Sequence, residues 1–297
     1  MRHFLEIDDL TPAELSEVLD QASADSPPQV LAGKGAALIF EKPSLRTRNA
    51  TEMAVVQLGG HPIYLGDDEV GIDKRETADD VIRVLAGYHA VVAARVFDHN
   101  VLERMAARNV VPVVNLLSEE AHPMQALADL LTLKDEFGGL DGLVVTYVGD
   151  ANNVWRSLAL GCAMVGVVSR VVCPPGYAPN PEDVDRIRGL GGEVEVFDRP
   201  ELAIDGADAV YTDVWTSMGQ EEESAVRLRA FEGFSVTADL LSAMSPSGIF
   251  LHCLPAHRGE EVSDDAIESS SSRVFVQAAN RMHSARGLLA WLLTQQP

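Results

Sequence analysis

The stretch "FEKPSLRTRNATEMAVVQLGG", Phe40 to Gly60, places Ser44, Arg46, Thr47 and Arg48 within five residues, between a short apolar run and an apolar-periodic one. An apolar strand, a turn at Pro43 and a polar run opening a helix together make an anion-binding arrangement. Free backbone N–H groups point out of a helix start and the helix dipole favours negative charge there. Ser44 and Thr47 add hydroxyl donors, and Arg46 adds a planar fork that matches phosphate oxygens. A capped helix whose arginines are solvated or paired with carboxylates would use the same residues.

Other clusters follow apolar runs in the same way. In "AHPMQALADLL", His122 and Gln125 stand three apart and project to one side of a helix start. These neutral donors suit a polarised carbonyl, or else cap the helix. Arg95 ends the apolar run "AVVAARVF", where a lone charge is expensive unless something receives it; Asp98 is a surface alternative. "YVGDANNVWRS" ends a strand and enters a helix through Asn152 and Asn153, either as caps or to hold a zwitterion, and no GxGxxG dinucleotide fingerprint is present. "YTDVWTSMGQEEE" presents Asp213, able to pair with a cationic amine, and Ser217, able to hydrogen-bond an amino-acid head group. "FLHCLPAHRG" turns at Pro255 after Cys253, a thiol to which the sequence assigns no His/Asn partner. His252 and His257 lack carboxylates or cysteines at tetrahedral-site spacing, so no metal is expected; an organic cofactor is not expected either.

The elements that must position these groups alternate from end to end. "DDLTPAELSEVLDQAS" is a helix with Thr11 as N-cap and Pro12 at its first position. "GAALIFE", "AVVAARVF" and "VVPVVNLL" read as buried strands, with helical "NVLERMAAR" between the last two. "MQALADLLTLKDEFGG" is an amphipathic helix stopping at Gly138-Gly139. A second series of strands runs through "GLVVTYVGD", "SRVVCPPG", "EVEVF", "DAVYTDVW" and "GIFLHCLP". The tail "NRMHSARGLLAWLLTQQ" is helical, and "ESSSSR" is a loop. This is an α/β chain of two similar-sized domains divided near Leu130–Gly139, with polar clusters at strand ends, where open α/β sheets bind ligands.

At 297 residues with 46% hydrophobic composition the chain can bury a substantial core. Its net charge of −22, from 23 basic against 45 acidic residues, argues against nucleic-acid binding. Against that field a cluster of arginines is a local exception, as a phosphate substrate requires. No run is long enough to span a membrane, and "MRHFLEIDDLTPAEL" lacks a signal-peptide core, so a cytoplasmic location is expected.

SxRTR, HPxQ, DxxxSMG and HCLP, in that order over almost the whole chain, resemble the aspartate/ornithine carbamoyltransferase family, and the DxxxSMG and HCLP forms resemble its ornithine-using branch. The resemblance implies two parallel-sheet domains flanked by helices: residues 1–132 for carbamoyl phosphate, joined by a C-terminal helix (277–297) that packs back on them, and residues 133–276 for ornithine. It implies carbamoyl phosphate on Ser44, Leu45 (through its backbone), Arg46, Thr47, Arg95, His122, Gln125 and Arg281, with Cys253 and Leu254 against the reacting centre. Catalysis would fall to Arg46, Arg95, His122, Gln125, Cys253 and Arg281. Ornithine would lie on Asn153, Asp213, Ser217 and Met218. The implied reaction gives L-citrulline and phosphate in arginine metabolism, in a homotrimer or a multiple of one, without nucleic-acid or membrane partners. Three departures stand out: Leu45 replaces a threonine, Ala279 replaces an acidic residue, and "EVGIDKRE" has no glutamine to lend to a neighbouring subunit, leaving Lys74 as a substitute. A sister enzyme using putrescine or an acylated ornithine, and a catalytically silent binding protein on the same fold, are the alternatives.

Overall fold

The computed structural model describes residues 1–216 and 221–295. The chain divides into two compact units, Met1–Leu131 with Ala279–Pro297, and Thr132–Ala278.

The first unit starts with helix α1 (Pro12–Ala22), whose N-cap Thr11 accepts the Glu14 N–H while Glu14 caps back, a capping box. Then come β1 (Gly35–Phe40), α2 (Leu45–Gln57), β2 (His61–Gly66), α3 (Asp67–Val70), α4 (Ala78–Ala86), β3 (His89–Arg95), α5 (His99–Ala107) and β4 (Val113–Leu117). Helix α6 (Pro123–Phe137) begins in this unit. The strands form a parallel sheet in the order β2-β1-β3-β4. Runs such as "ALIF" and "VVAA" are buried throughout because helices cover both faces of a parallel sheet. Strand β2 is absent from the sequence-based reading. It is an edge strand, half exposed, with Pro62 in its second position, so it carries no continuous apolar signature.

In the second unit β5 (Val144–Val148), α7 (Asn153–Met164), β6 (Val168–Val172), α8 (Pro181–Gly189), β7 (Val194–Phe197), α9 (Pro200–Ala203), β8 (Ala209–Thr212), α10 (Ser224–Ala230), α11 (Ala238–Leu241), β9 (Ile249–His252) and α12 (Asp264–Ile267) follow in turn. Its five strands are parallel in the order β7-β6-β5-β8-β9. The core on one side of this sheet gathers Trp215, Phe231, Phe234 and Phe250, with Trp215 and Phe231 stacked at 5.5 Å.

Helix α13 (Val274–Thr294) returns the chain to the first unit. Its Arg286 donates to the Ala22 and Ala24 carbonyls at the end of α1, and Trp291 donates to Glu17. At Gly287 an added Cβ would lie 2.6 Å from both the Ala22 nitrogen and the Val18 oxygen, so only glycine lets the two backbones approach this closely.

Both sheets reverse their strand order, the first between β1 and β3 and the second between β5 and β8. Ligand crevices form beyond the carboxyl ends of strands at such reversals. Register then decides which residues are neighbours there. Phe40 is level with Arg95, and Arg95 with Leu117. In the second unit Val148 is level with Thr212 and Thr212 with His252, so Gly149, Asp213 and Cys253 leave their strands side by side.

Candidate functional site

In the first unit Ser44 is the N-cap of α2, and its hydroxyl accepts the Thr47 N–H at 3.3 Å. Leu45 occupies the first helical position and is 74% exposed, so the polar group it presents at the helix start is its backbone N–H. Arg46 is half-buried and Thr47 is buried beneath it.

Two buried arginines of the unit converge on the Thr47 hydroxyl. Arg281, from α13, donates to it at 2.6 Å, and Arg95, from the end of β3, donates to it at 3.5 Å. Both arginines are buried, so two guanidiniums have left water to meet at one hydroxyl. Desolvating two like charges in one place is costly unless an anion of higher charge compensates them. Asp98, the surface alternative that the sequence left open for Arg95, caps α5 by accepting the Asn100 N–H.

His122 and Gln125 enter from the start of α6, and both are buried. Gln125 donates to Asp129 at 2.8 Å, one turn on, which fixes its amide. Burial holds the His122 imidazole well below its ordinary value, and the positive charges of Arg281 and Arg95 lower it further. The ring is therefore neutral at neutral pH, as a donor to a developing oxyanion should be.

The linkage has a definite sign. On unfolding, His122 regains its ordinary affinity for a proton, so the unfolded chain binds more protons than the folded one below that value. The stability attached to neutral His122 is complete above pH ~6.5 and is lost as pH falls below it, at up to about 1.4 kcal/mol per pH unit. Denaturant unfolding of the protein and of His122→Asn at neutral and mildly acidic pH should show the smaller acid loss in the variant. Equal losses would mean that His122 titrates as it does in water.

In the second unit Asp213 is buried. Its Oδ1 accepts the Cys253 S–H at 2.9 Å and the Val214 N–H at 2.8 Å, and Asn152 donates to its Oδ2 at 3.5 Å. The Cys253 thiol thus donates to a carboxylate, a partner that orients the sulfur. Asn152 caps α7 by accepting from Val154 and Trp155, leaving Asn153, its first residue, half-buried. Ser217 and Met218 lie outside the described residues. Leu254 follows Cys253 with φ +59°, a conformation costly for a residue with a Cβ.

Three contacts here were not legible beforehand. Arg227 of α10 donates to Asp150 at 2.6 Å and to the Trp215 carbonyl at 3.1 Å, tying the segment after Asp213 to the end of β5. Burial pushes the Asp150 carboxyl up, and Arg227 opposes it. Glu261 meets His252 at 3.1 Å, both fully buried. The third is the close grouping of Asp213, His252 and Cys253, whose donor atoms lie within 4.8 Å of one another. The spacing rule missed it because Asp213 is remote in sequence. Both ring nitrogens of His252 are engaged, Nδ1 by the Leu254 N–H and Nε2 by Glu261, so the ring offers no free lone pair to a metal.

A cavity of about 500 Å³ opens at the opposite, amino-terminal ends of β1, β2 and β3, lined by Lys34, His61, Tyr88 and His89 among others. None of the clusters above reaches it. Lys74, in the segment considered for a neighbouring subunit, is exposed and paired with Asp67 of its own chain at 2.8 Å.

Residues 2–135 match the carbamoyl-P binding domain of the aspartate/ornithine carbamoyltransferases, and residues 141–292 match their Asp/Orn binding domain. The chain is 48% identical to an ornithine carbamoyltransferase of Acidothermus cellulolyticus, over 99% of this chain and 97% of that one. The solved ornithine carbamoyltransferase of Pyrococcus furiosus superposes with a TM-score of 0.95 at 40% identity, covering 100% of this chain and 98% of that one. An N-acetyl-L-ornithine transcarbamylase structure has the same fold at a TM-score of 0.88 but only 28% identity, covering 98% of this chain and 99% of that one. With both domain models matched in order over nearly its full length, the chain belongs to the aspartate/ornithine carbamoyltransferase family.

Proposed function

We propose that the protein transfers the carbamoyl group of carbamoyl phosphate to the δ-amine of L-ornithine, giving L-citrulline and phosphate. The observation that carries this reading is the buried Thr47 hydroxyl holding both Arg95 and Arg281 beside a neutral His122. That is a receptor for a phosphoryl dianion next to a carbonyl, and it stands in a family built on that chemistry.

The δ-nitrogen lone pair attacks the carbonyl carbon, forming C–N and a tetrahedral oxyanion. The C–O bond to phosphate then breaks, phosphate departs with the electron pair, and the nitrogen gives up a proton. His122 and Arg281 stabilise the oxyanion, and Gln125, fixed by Asp129, donates at the carbamoyl end. Ser44, the Leu45 N–H, Arg46, Thr47 and Arg95 hold the phosphate. Asp213 takes the α-ammonium of ornithine, with Asn153, Ser217 and Met218 completing the head-group reader. Cys253 and Leu254 orient and desolvate the attacking amine. The work is positioning and charge stabilisation, with no covalent enzyme intermediate. Because the amine must be neutral to attack, activity rises toward alkaline pH.

The same reading places the enzyme in arginine metabolism in the cytoplasm, as a homotrimer or a multiple of one. Among the described residues no helix is long and apolar enough to cross a membrane. Met53 and Val56, three residues apart on α2, are both exposed and offer an apolar pair to a second copy of the chain.

The test is citrulline or carbamoyl-amine formation from carbamoyl phosphate with L-ornithine, N-acetyl-L-ornithine, putrescine and L-aspartate offered separately. Product with ornithine is expected, and the other three should give little. Product with a different amine alone would keep the phosphate residues and overturn the assignment of Asp213. Silence with all four would overturn the enzyme reading.

A further inference from the structure

We infer that Glu261 is a positioning residue for the reaction, acting through His252 on the Cys253–Leu254 turn; this rests on the proposed placement of that turn at the reacting centre. Cys253 and Leu254 come directly after β9, and the turn has to hold a backbone that its sequence does not favour. Leu254 sits at φ +59°, where a leucine is destabilised by its own Cβ. Such a conformation persists only when its surroundings over-determine it.

Those surroundings are a chain of contacts that ends at Glu261. The Leu254 N–H donates to His252 Nδ1 at 2.9 Å. Since Nδ1 is accepting, the ring proton lies on Nε2, which faces Glu261 Oε1 at 3.1 Å. The same oxygen accepts the His257 N–H at 2.6 Å, so one carboxyl oxygen closes the loop on both sides of Pro255 and Ala256. His252 is pinned from behind by its own N–H donating to Gln277 at 2.8 Å. Glu261 is itself anchored by its backbone: its carbonyl accepts the Val236 N–H at 2.8 Å, and the Ser263 N–H returns to Val236 at 3.0 Å.

The arrangement is a poor stability device. Glu261 is fully buried, and its second oxygen, Oε2, has no hydrogen-bond partner among the described residues. An apolar residue would avoid the desolvation that this carboxyl incurs. Its benefit is directional: it sets the tautomer and the ring plane of His252, and through them the direction in which the Leu254 backbone and the Cys253 sulfur point. Cys253 is held from its other side by Asp213, so the turn is fixed at both residues.

The experiment compares Glu261→Ala, Glu261→Gln, Glu261→Asp and Cys253→Ala in the full-length protein, below every unfolding midpoint. kcat and both KM values are read in the citrulline assay, and the affinity for inorganic phosphate is read by calorimetry. Glu261→Ala should lose ~10²-fold in kcat, the scale of a reacting group displaced by about 1 Å, while phosphate affinity stays unchanged. Glu261→Gln keeps an oxygen for both donors and should retain most of kcat, a rescue that general destabilisation would not give. If the alanine variant does not fold, Glu261→Asp decides. Its side chain is one methylene too short to reach both donors, so a loss of roughly tenfold or more supports the inference and full kcat overturns it. Full kcat in Glu261→Ala with an impaired Cys253→Ala would overturn the role of Glu261 alone. Full kcat in both would overturn the placement of the turn, and the inference with it.

Discussion

Arg281→Ala is expected to lower kcat by on the order of 10²–10³, a loss of about 3–4 kcal/mol of transition-state stabilisation. Arg281 reaches the Thr47 hydroxyl at 2.6 Å from a buried position, and it lowers the His122 imidazole by its charge. Removing it relieves that charge effect. Burial is nevertheless the larger cause of the shift, so His122 should stay neutral, and a change of pH between about 6 and 9 should not recover the loss. Arg95→Ala should cost a similar factor. Because both arginines serve one hydroxyl and one imidazole, the double variant should lose far less than the product of the two single losses. Thermal unfolding of each variant separates this from loss of fold. Near-normal turnover in folded Arg281→Ala would remove it from the chemistry. Strict multiplicativity would mean that the two arginines act at separate sites.

What made this arrangement readable from sequence is that each group sits at an element boundary with its own local signal. Ser44 precedes a helix and follows a strand, and Arg95 interrupts an apolar run where a charge has no local reason to be. His122 and Gln125 share a helix face by spacing alone. The parallel strands were legible because burial on both faces leaves continuous apolar runs, whereas β2, exposed on its edge and carrying Pro62, gave no such run. The contacts that the sequence did not disclose all cross long stretches of chain. Thr47 meets Arg281 across 234 residues, and Cys253 meets Asp213 across 40. The family resemblance placed these residues in one site, but no periodicity could pair them. Glu261 stands in the charged run "HRGEEV", which reads as a solvated loop. Its backbone pairs with Val236, and its carboxyl oxygen is held inside by His252 and His257. Asp213, by contrast, was visible as a carboxylate at a strand end, and its role is the more sharply testable for it.

Asp213→Asn should raise KM for L-ornithine by roughly 10- to 100-fold while KM for carbamoyl phosphate stays near its original value, because a hydrogen bond to a charged partner contributes about 1.5–3 kcal/mol. The substitution is nearly isosteric, so the backbone at the end of β8 need not move. It removes the negative charge that would face an α-ammonium and replaces one acceptor oxygen with a donor. Oδ1 already accepts from Cys253 and Val214, and Oδ2 faces Asn152 at 3.5 Å. An asparagine can keep its carbonyl on the first pair and must then turn its NH2 toward Asn152 and the ligand. The amine then loses a charged acceptor while the Cys253 turn keeps its partner. The split between the two KM values therefore distinguishes a head-group reader from a structural brace. Unchanged KM for ornithine with a lowered kcat would assign Asp213 to holding the Cys253 sulfur, and ornithine specificity would then have to come from other residues of the second unit.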